Sequence, residues 1–284
     1  MIVNKEDNLK YCIDFKQGKI LKGLGIGNIL DDFYVHKHGT FTVVVGLDNV
    51  GKTYFMLWYF LCLSVKHNIK WCIWSGENNS GQLVRDLIQM YSQCKISELS
   101  ETQIKKHNDK ISKWFTFISN EKMYNHIDLL KIFKSNKYDA CVIDPFTGLN
   151  HDRKINQWER NYLICNDIRA FCNVTGKSIY LMTHPMTEAA RRIYPPNHEF
   201  GGYIQPPKKS DVEGGQVFAN RCDAFLSIHR FINSPESWMM TQVRIEKIKD
   251  RETGGTPTLD NPLSFDYNKG LGFTIGGINV LKNK

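Results

Sequence analysis

Apolar and polar positions alternate along this chain in runs of two lengths. Phe41-Thr-Val-Val-Val45 is a β-branched run of strand length, and residues 53–66 stay apolar over a helical length. Lys70–Ser75, Trp114–Ile118, Tyr138–Asp144 and Ser178–Thr183 repeat the short apolar pattern. Between them lie helical stretches at Ser80–Cys94, 95–113, Ile127–Ser135 and Glu159–Thr175, the last stopped by Gly176. Strands that alternate with helices predict an α/β fold with a mostly parallel, twisted sheet flanked by helices.

Beyond residue 216 the pattern changes. Ala224–His229 and Trp238–Glu246 read as antiparallel strands extending the sheet, with Lys247–Gly255 as a basic tip and glycine turn closing that hairpin region. Pro257–Phe265 and Leu271–Val280 predict short terminal strands. Residues 1–20 read as an extension, and 21–40 as a lead-in covering the sheet edge, so that 21–284 form one domain. Residues 185–216, rich in proline and glycine, read as one long loop.

Charge and cysteine usage narrow the class. There are 37 Lys and Arg against 29 Asp and Glu, a net +8 that favours a polyanionic partner, nucleic acid first. The 8 cysteines form no C-x-x-C pair and mostly sit in apolar runs, the usage of buried thiols in a reducing, intracellular compartment. No signal-peptide core opens the chain, and Phe55–Leu63 is about half a membrane span, so no membrane association is expected.

One stretch carries chemistry by itself. Gly46-Leu-Asp48-Asn49-Val50-Gly51-Lys52-Thr53 reads G-x-x-x-x-G-K-T between a strand and a helix. Glycines let backbone N–H groups wrap a triphosphate, Lys52 adds a charge at the outer phosphates, and the Thr53 hydroxyl suits Mg²⁺. Tyr54 completes the binding segment. Glu77 follows the second strand, Asp144 ends a Walker-B-type strand suited to hold Mg²⁺ with Thr53, and His184 tips the strand after that. The expected activity is hydrolysis of ATP or another nucleoside triphosphate.

The order of these pieces resembles the RecA-like ring helicases of DNA replication, the DnaB group and more closely the Twinkle type, over about residues 21–275. Besides the P-loop, the matching pieces are Leu30-Asp31-Asp32, Ser75-Gly-Glu77, Val142-Ile-Asp144-Pro145, Thr183-His184-Pro185 and Gly214-Gly215. They continue as Asn220-Arg221-Cys-Asp223, His229-Arg230, Lys249-Asp-Arg251 and Gly254-Gly255. The resemblance implies a RecA-like P-loop NTPase core and a homo-oligomer, six-membered by analogy, that moves on single-stranded DNA and unwinds duplex. It implies Glu77 as general base, His184 as γ-phosphate sensor, and Arg251 as an arginine finger given to the neighbouring subunit, with Lys249 beside it. Loops after Asp144 and His184 correspond to DNA-gripping loops, and Arg153, Lys154, Arg191, Arg192, Lys208 and Lys209 are their candidate phosphate contacts. A primase or polymerase partner, and a phage-infected cell or organelle matrix as the setting, come with the same resemblance.

The sequence departs from the family in lacking a primase or zinc segment, in a linker helix that is short or absent, in a proline-rich stretch around 195–207, and in Glu213 beside the paired glycines. The alternatives are a RecA-like recombination or repair ATPase and a nucleotide-gated loader or regulator.

Overall fold

The computed structural model describes residues 4–20, 22–151 and 154–282. Arg153 lies outside them. The first element is α1 (Lys5–Lys16), capped by the Asn4 side chain on Glu6 N–H. None of its side chains is buried, and Leu9, Tyr11, Ile13 and Phe15 are exposed on it. A twelve-residue helix therefore stands where the linker helix was expected to be short or absent.

The core alternates as the hydrophobic runs require. In chain order it comprises β1 (Phe41–Val45), α2 (Lys52–His67), β2 (Trp71–Ser75), α3 (Ser80–Ser92), α4 (Glu101–Ile111), β3 (Phe115–Ile118), α5 (His126–Phe133) and β4 (Ala140–Asp144). It continues through α6 (Gln157–Thr175), β5 (Ser178–Thr183), α7 (Val217–Arg221), β6 (Ala224–Arg230), β7 (Met240–Ile248), α8 (Arg251–Gly254), β8 (Leu263–Tyr267) and β9 (Phe273–Thr274). The described strands form one nine-stranded sheet in the order β3-β2-β4-β5-β1-β6-β7-β8-β9. Pairs from β3 through β6 are parallel, and those from β6 to β9 antiparallel.

Both faces of the parallel half are covered, which is why its strands read as unbroken apolar runs. Along β1, Val44 faces a core shared with Phe55, Met56 and Phe60 of α2, while Phe41, Val43 and Val45 face Ile164, Ile168 and Phe171 of α6. Helices α3 to α6 each start where a side chain satisfies the first N–H groups: Asn79 for α3, Ser100 with a Gln103 capping box for α4, Asn125 for α5 and Asn156 for α6. The Ser100 box also explains why 95–113 is not one helix: the chain makes a short 3-10 turn at Ile96–Glu98 and restarts.

Four expectations about local structure change. The β6–β7 hairpin turns at residues 231–239, and Lys247–Gly255 instead follows β7, where it forms α8 at the far end of the sheet. The 21–40 lead-in does not cover a lateral edge: β1 is central, and the lead-in is pinned below it through Gly23 N to Thr253 O (2.9 Å), Thr256 N to Phe33 O (3.1 Å) and Lys37 Nζ to Asp250 (2.6 Å). Residues 185–216 are ordered by 3-10 turns at Thr187–Arg191 and Lys209–Asp211 and by bridges pairing Pro185 with Val212 and Ile193 with Ile204. Rings cement that excursion: Tyr194 stacks on His198 at 3.9 Å and Phe200 on Phe231 at 4.2 Å. Finally, the terminal strands shrink to β8 and β9, since Pro257 and the glycine-rich end supply few ladder partners.

Candidate nucleotide site

Register delivers the functional side chains to one edge. Val45 pairs with Thr183 and Ser75 with Asp144, so the P-loop, Glu77, Asp144 and His184 all leave their strands at the same end of the sheet. The turn between β1 and α2 depends on Gly51 at φ +81°, a left-handed conformation that opens the helix with no side-chain cap. Gly46 is needed for close approach: a Cβ there would lie 2.8 Å from Ile228 O. The uncapped first turn of α2 presents its N–H groups and positive dipole end to a cleft of about 560 Å³.

Asp48, Asn49, Gly51, Lys52, Thr53, Tyr54, Glu77, Asp144 and His184 all border that cleft. Lys52 is buried, and its Nζ donates to Thr183 O at 2.8 Å. Thr53 Oγ1 donates to Asp144 Oδ2 at 2.7 Å. Burial pushes the Lys52 ammonium pKa down against the attraction of Asp144, Glu77 and Asp48. It pushes the Asp144 carboxyl up, opposed by Lys52 and by the Thr53 hydrogen bond. His184 Nε2 lies 3.7 Å from Glu77 Oε1, and its Nδ1 2.9 Å from Asp48 Oδ1. Of the P-loop residues, Val50 turns inward and lines a neighbouring pocket with His229, Arg230 and Phe231.

The remaining candidates scatter. Lys249 and Arg251 lie at the opposite end of the sheet, because β7 runs antiparallel and Ile248 pairs with Ala224 at the start of β6. Arg251 is exposed, and Lys249 Nζ stands 3.9 Å from Asp223, a carboxylate already held by Arg169. Arg192 is ion-paired with Asp211, and Lys208 and Lys209 sit with Arg244 over β7. Arg191 and Lys154 are exposed.

Two side chains escaped the sequence reading. Arg230 holds its guanidinium 5.0 Å above the Tyr267 ring, and Gly51 lies directly beside it. The sequence places Arg230 in a matching motif without assigning it a role. Its partner comes from β8, brought near by the pairing of Arg230 with Thr241 and of Thr241 with Phe265. Only strand register could have revealed that contact.

No family model matches the chain. In sequence, the chain is 22% identical over 245 residues to a chloroplastic/mitochondrial Twinkle homolog of Arabidopsis thaliana, covering 79% of this chain. It spans 33% of that relative's length. In structure, the ATPase domain of a DnaB-like replicative helicase matches with a TM-score of 0.78 at 14% identity, covering 97% of this chain and 99% of that one. A second DnaB-like replicative helicase, solved to describe its interactions with primase, matches at 0.74 and 14% identity over 96% of this chain and 67% of its own. This is the RecA-like fold of the DnaB and Twinkle type. A KaiC-like protein from Pyrococcus horikoshii shares the DnaB-type core more distantly, at 0.57 over 90% of this chain and 97% of its own. Within the described residues no helix is long and apolar enough to cross a membrane.

Proposed function

We propose that the chain is the motor module of a replicative DNA helicase, hydrolysing ATP or another nucleoside triphosphate to move on single-stranded DNA and separate duplex. The convergence of Lys52, Thr53, Glu77, Asp144 and His184 on one cleft at the head of α2 carries this reading. The triphosphate lies along the P-loop, with α2 N–H groups and Lys52 on its outer phosphates. The base stacks on the Arg230–Tyr267 pair.

Thr53 and Asp144 are the residues that would hold Mg²⁺, a hydroxyl and a carboxylate already in contact. Mg²⁺ of this kind keeps waters and phosphates as its other ligands and needs no larger protein cluster, and none of three or more His, Cys, Asp or Glu stands among the described residues. When bound it draws off charge from the leaving phosphates. Glu77 takes a proton from water as that oxygen bonds to the γ-phosphorus and the bond to the leaving diphosphate breaks. His184, between Glu77 and Asp48, connects the presence of the γ-phosphate to the 185–216 excursion.

Arg251 faces away from its own cleft, so it serves the cleft of the next copy, and hydrolysis depends on assembly into a homo-oligomeric ring. Exposed α1 supplies a further contact to that neighbour. Strand displacement and DNA-stimulated hydrolysis test the scheme. Lys52→Ala and Arg251→Ala each abolish both, and mixing the two inactive variants restores part of the hydrolysis, because an intact cradle then meets an intact finger. Unwinding that survives either substitution, or a mixture that stays inert while forming mixed oligomers, overturns it.

A further inference from the structure

Near the start of α6 an aromatic and cationic stack stands outside the nucleotide cleft. Trp158 is 66% exposed, while Trp58, Trp71, Trp74 and Trp114 are buried and Trp238 is 39% exposed. Its indole lies against Tyr162, one helical turn on, with ring centroids 5.6 Å apart and planes 17° from parallel. The other side of Tyr162 is closed by Arg221 of α7, whose guanidinium carbon is 4.4 Å from the ring centroid and which also donates to the Tyr162 hydroxyl. Three planar groups thus form a pile that is backed at one end and open at the other.

The neighbourhood is shaped to bring a strand of nucleic acid there. Trp158 follows the loop after β4, and exposed Lys154 precedes it by four positions. The 185–216 excursion returns to the same place: Asn161 Nδ2 donates to Gly214 O at 2.8 Å. A Cβ on Gly214 would fall 2.4 Å from that nitrogen, so glycine alone lets the two segments close up. Gly215, at φ +98°, has open space where a side chain would stand. Arg160 adds a cation whose buried Nε has no hydrogen-bond partner among the described residues. A large apolar ring costs free energy when left in water, and the surrounding charge is positive, so the complementary occupant is flat, aromatic and anionic.

We propose that Trp158, backed by Tyr162 and Arg221, is a stacking platform for an unpaired base of single-stranded DNA. It adds a base contact to a surface otherwise built to hold phosphates. Arg221 is a positioning residue, since it acts by fixing the Tyr162 ring. The proposal rests on the single-stranded-DNA reading above, and the experiment separates the two.

Fluorescence-anisotropy titrations would compare an oligothymidylate with an abasic oligomer of equal length and charge. They would use the full chain, its Trp158→Ala and Trp158→Phe variants, and Arg221→Gln, with circular dichroism as the folding control. Trp158→Ala is expected to weaken oligothymidylate binding roughly 5- to 150-fold, the loss of one base stack. Trp158→Phe retains most of the affinity, and abasic binding is unchanged in both. Arg221→Gln gives a smaller loss confined to the base-bearing oligomer. If the wild-type chain binds neither oligomer, the DNA reading itself fails. If it binds DNA and Trp158→Ala binds as tightly, the platform fails and the reading stands. A Trp158→Ala effect equal on both oligomers, or one that changes only the oligomeric state, also overturns the platform.

Discussion

Glu77 and Asp144 are both carboxylates at strand tips, yet their surroundings assign them different work. Asp144 is fully enclosed, bonded to Thr53 and close to Lys52, an arrangement that fixes a charge in place. Glu77 is more than half exposed, at 58%, with His184 at 3.7 Å, and can reach a water in the cleft. If it is the proton acceptor, Glu77→Gln lowers kcat by about 10²–10⁴ and leaves the nucleotide KM near its original value. A large rise in KM with kcat intact would assign Glu77 to binding instead. Glu77 was legible from its place after an apolar run, whereas the contact of Arg230 with Tyr267 was not, because two antiparallel strand pairings alone join them.

Strands and most helices of the parallel half were legible because each buries two faces or one stripe, and burial leaves a periodic trace in the residues. The 185–216 excursion left no such trace. Its order comes from two isolated bridges and ring stacking onto Phe231, contacts between positions that no period relates. The tip of the β6–β7 hairpin was misplaced for a similar reason: glycines near 254 signal a turn, and the turn exists, but it links β7 to β8. α1 tests the assembly at this scale. It buries none of its residues, so deleting residues 1–16 leaves the thermal midpoint within about 2 °C of the full chain. The same deletion shifts the oligomer towards monomer in native mass measurements. An undiminished ring after the deletion would remove α1 from the interface.

Across the whole molecule, two buried histidines tie stability to pH. His36 is sealed against Tyr180 and Trp71, and burial pushes its pKa down to about 3; His229 is lowered to about 4 by burial and by Arg244. Both stay neutral when folded, while their unfolded forms take up protons near pH 6.5. Stability they contribute is therefore complete above that pH and is lost on acidification from about 6.5 towards 4 and 3. Each contributes a slope of up to about 1.4 kcal/mol per pH unit in that window. Urea midpoints measured from pH 7 to 5 should fall, and a midpoint that rises on acidification contradicts the assignment.

The residues alone determined the P-loop, the strand–helix alternation and the acids at strand tips, because phosphate binding and two-sided burial each demand particular side chains at fixed spacing. Only the tertiary structure decided which tips share an edge, that Arg251 stands at the opposite end from its own cleft, and that Trp158, Tyr162 and Arg221 form one stack. Those relations depend on strand order, direction and register, which arise from contacts between distant segments and leave no local pattern in the chain.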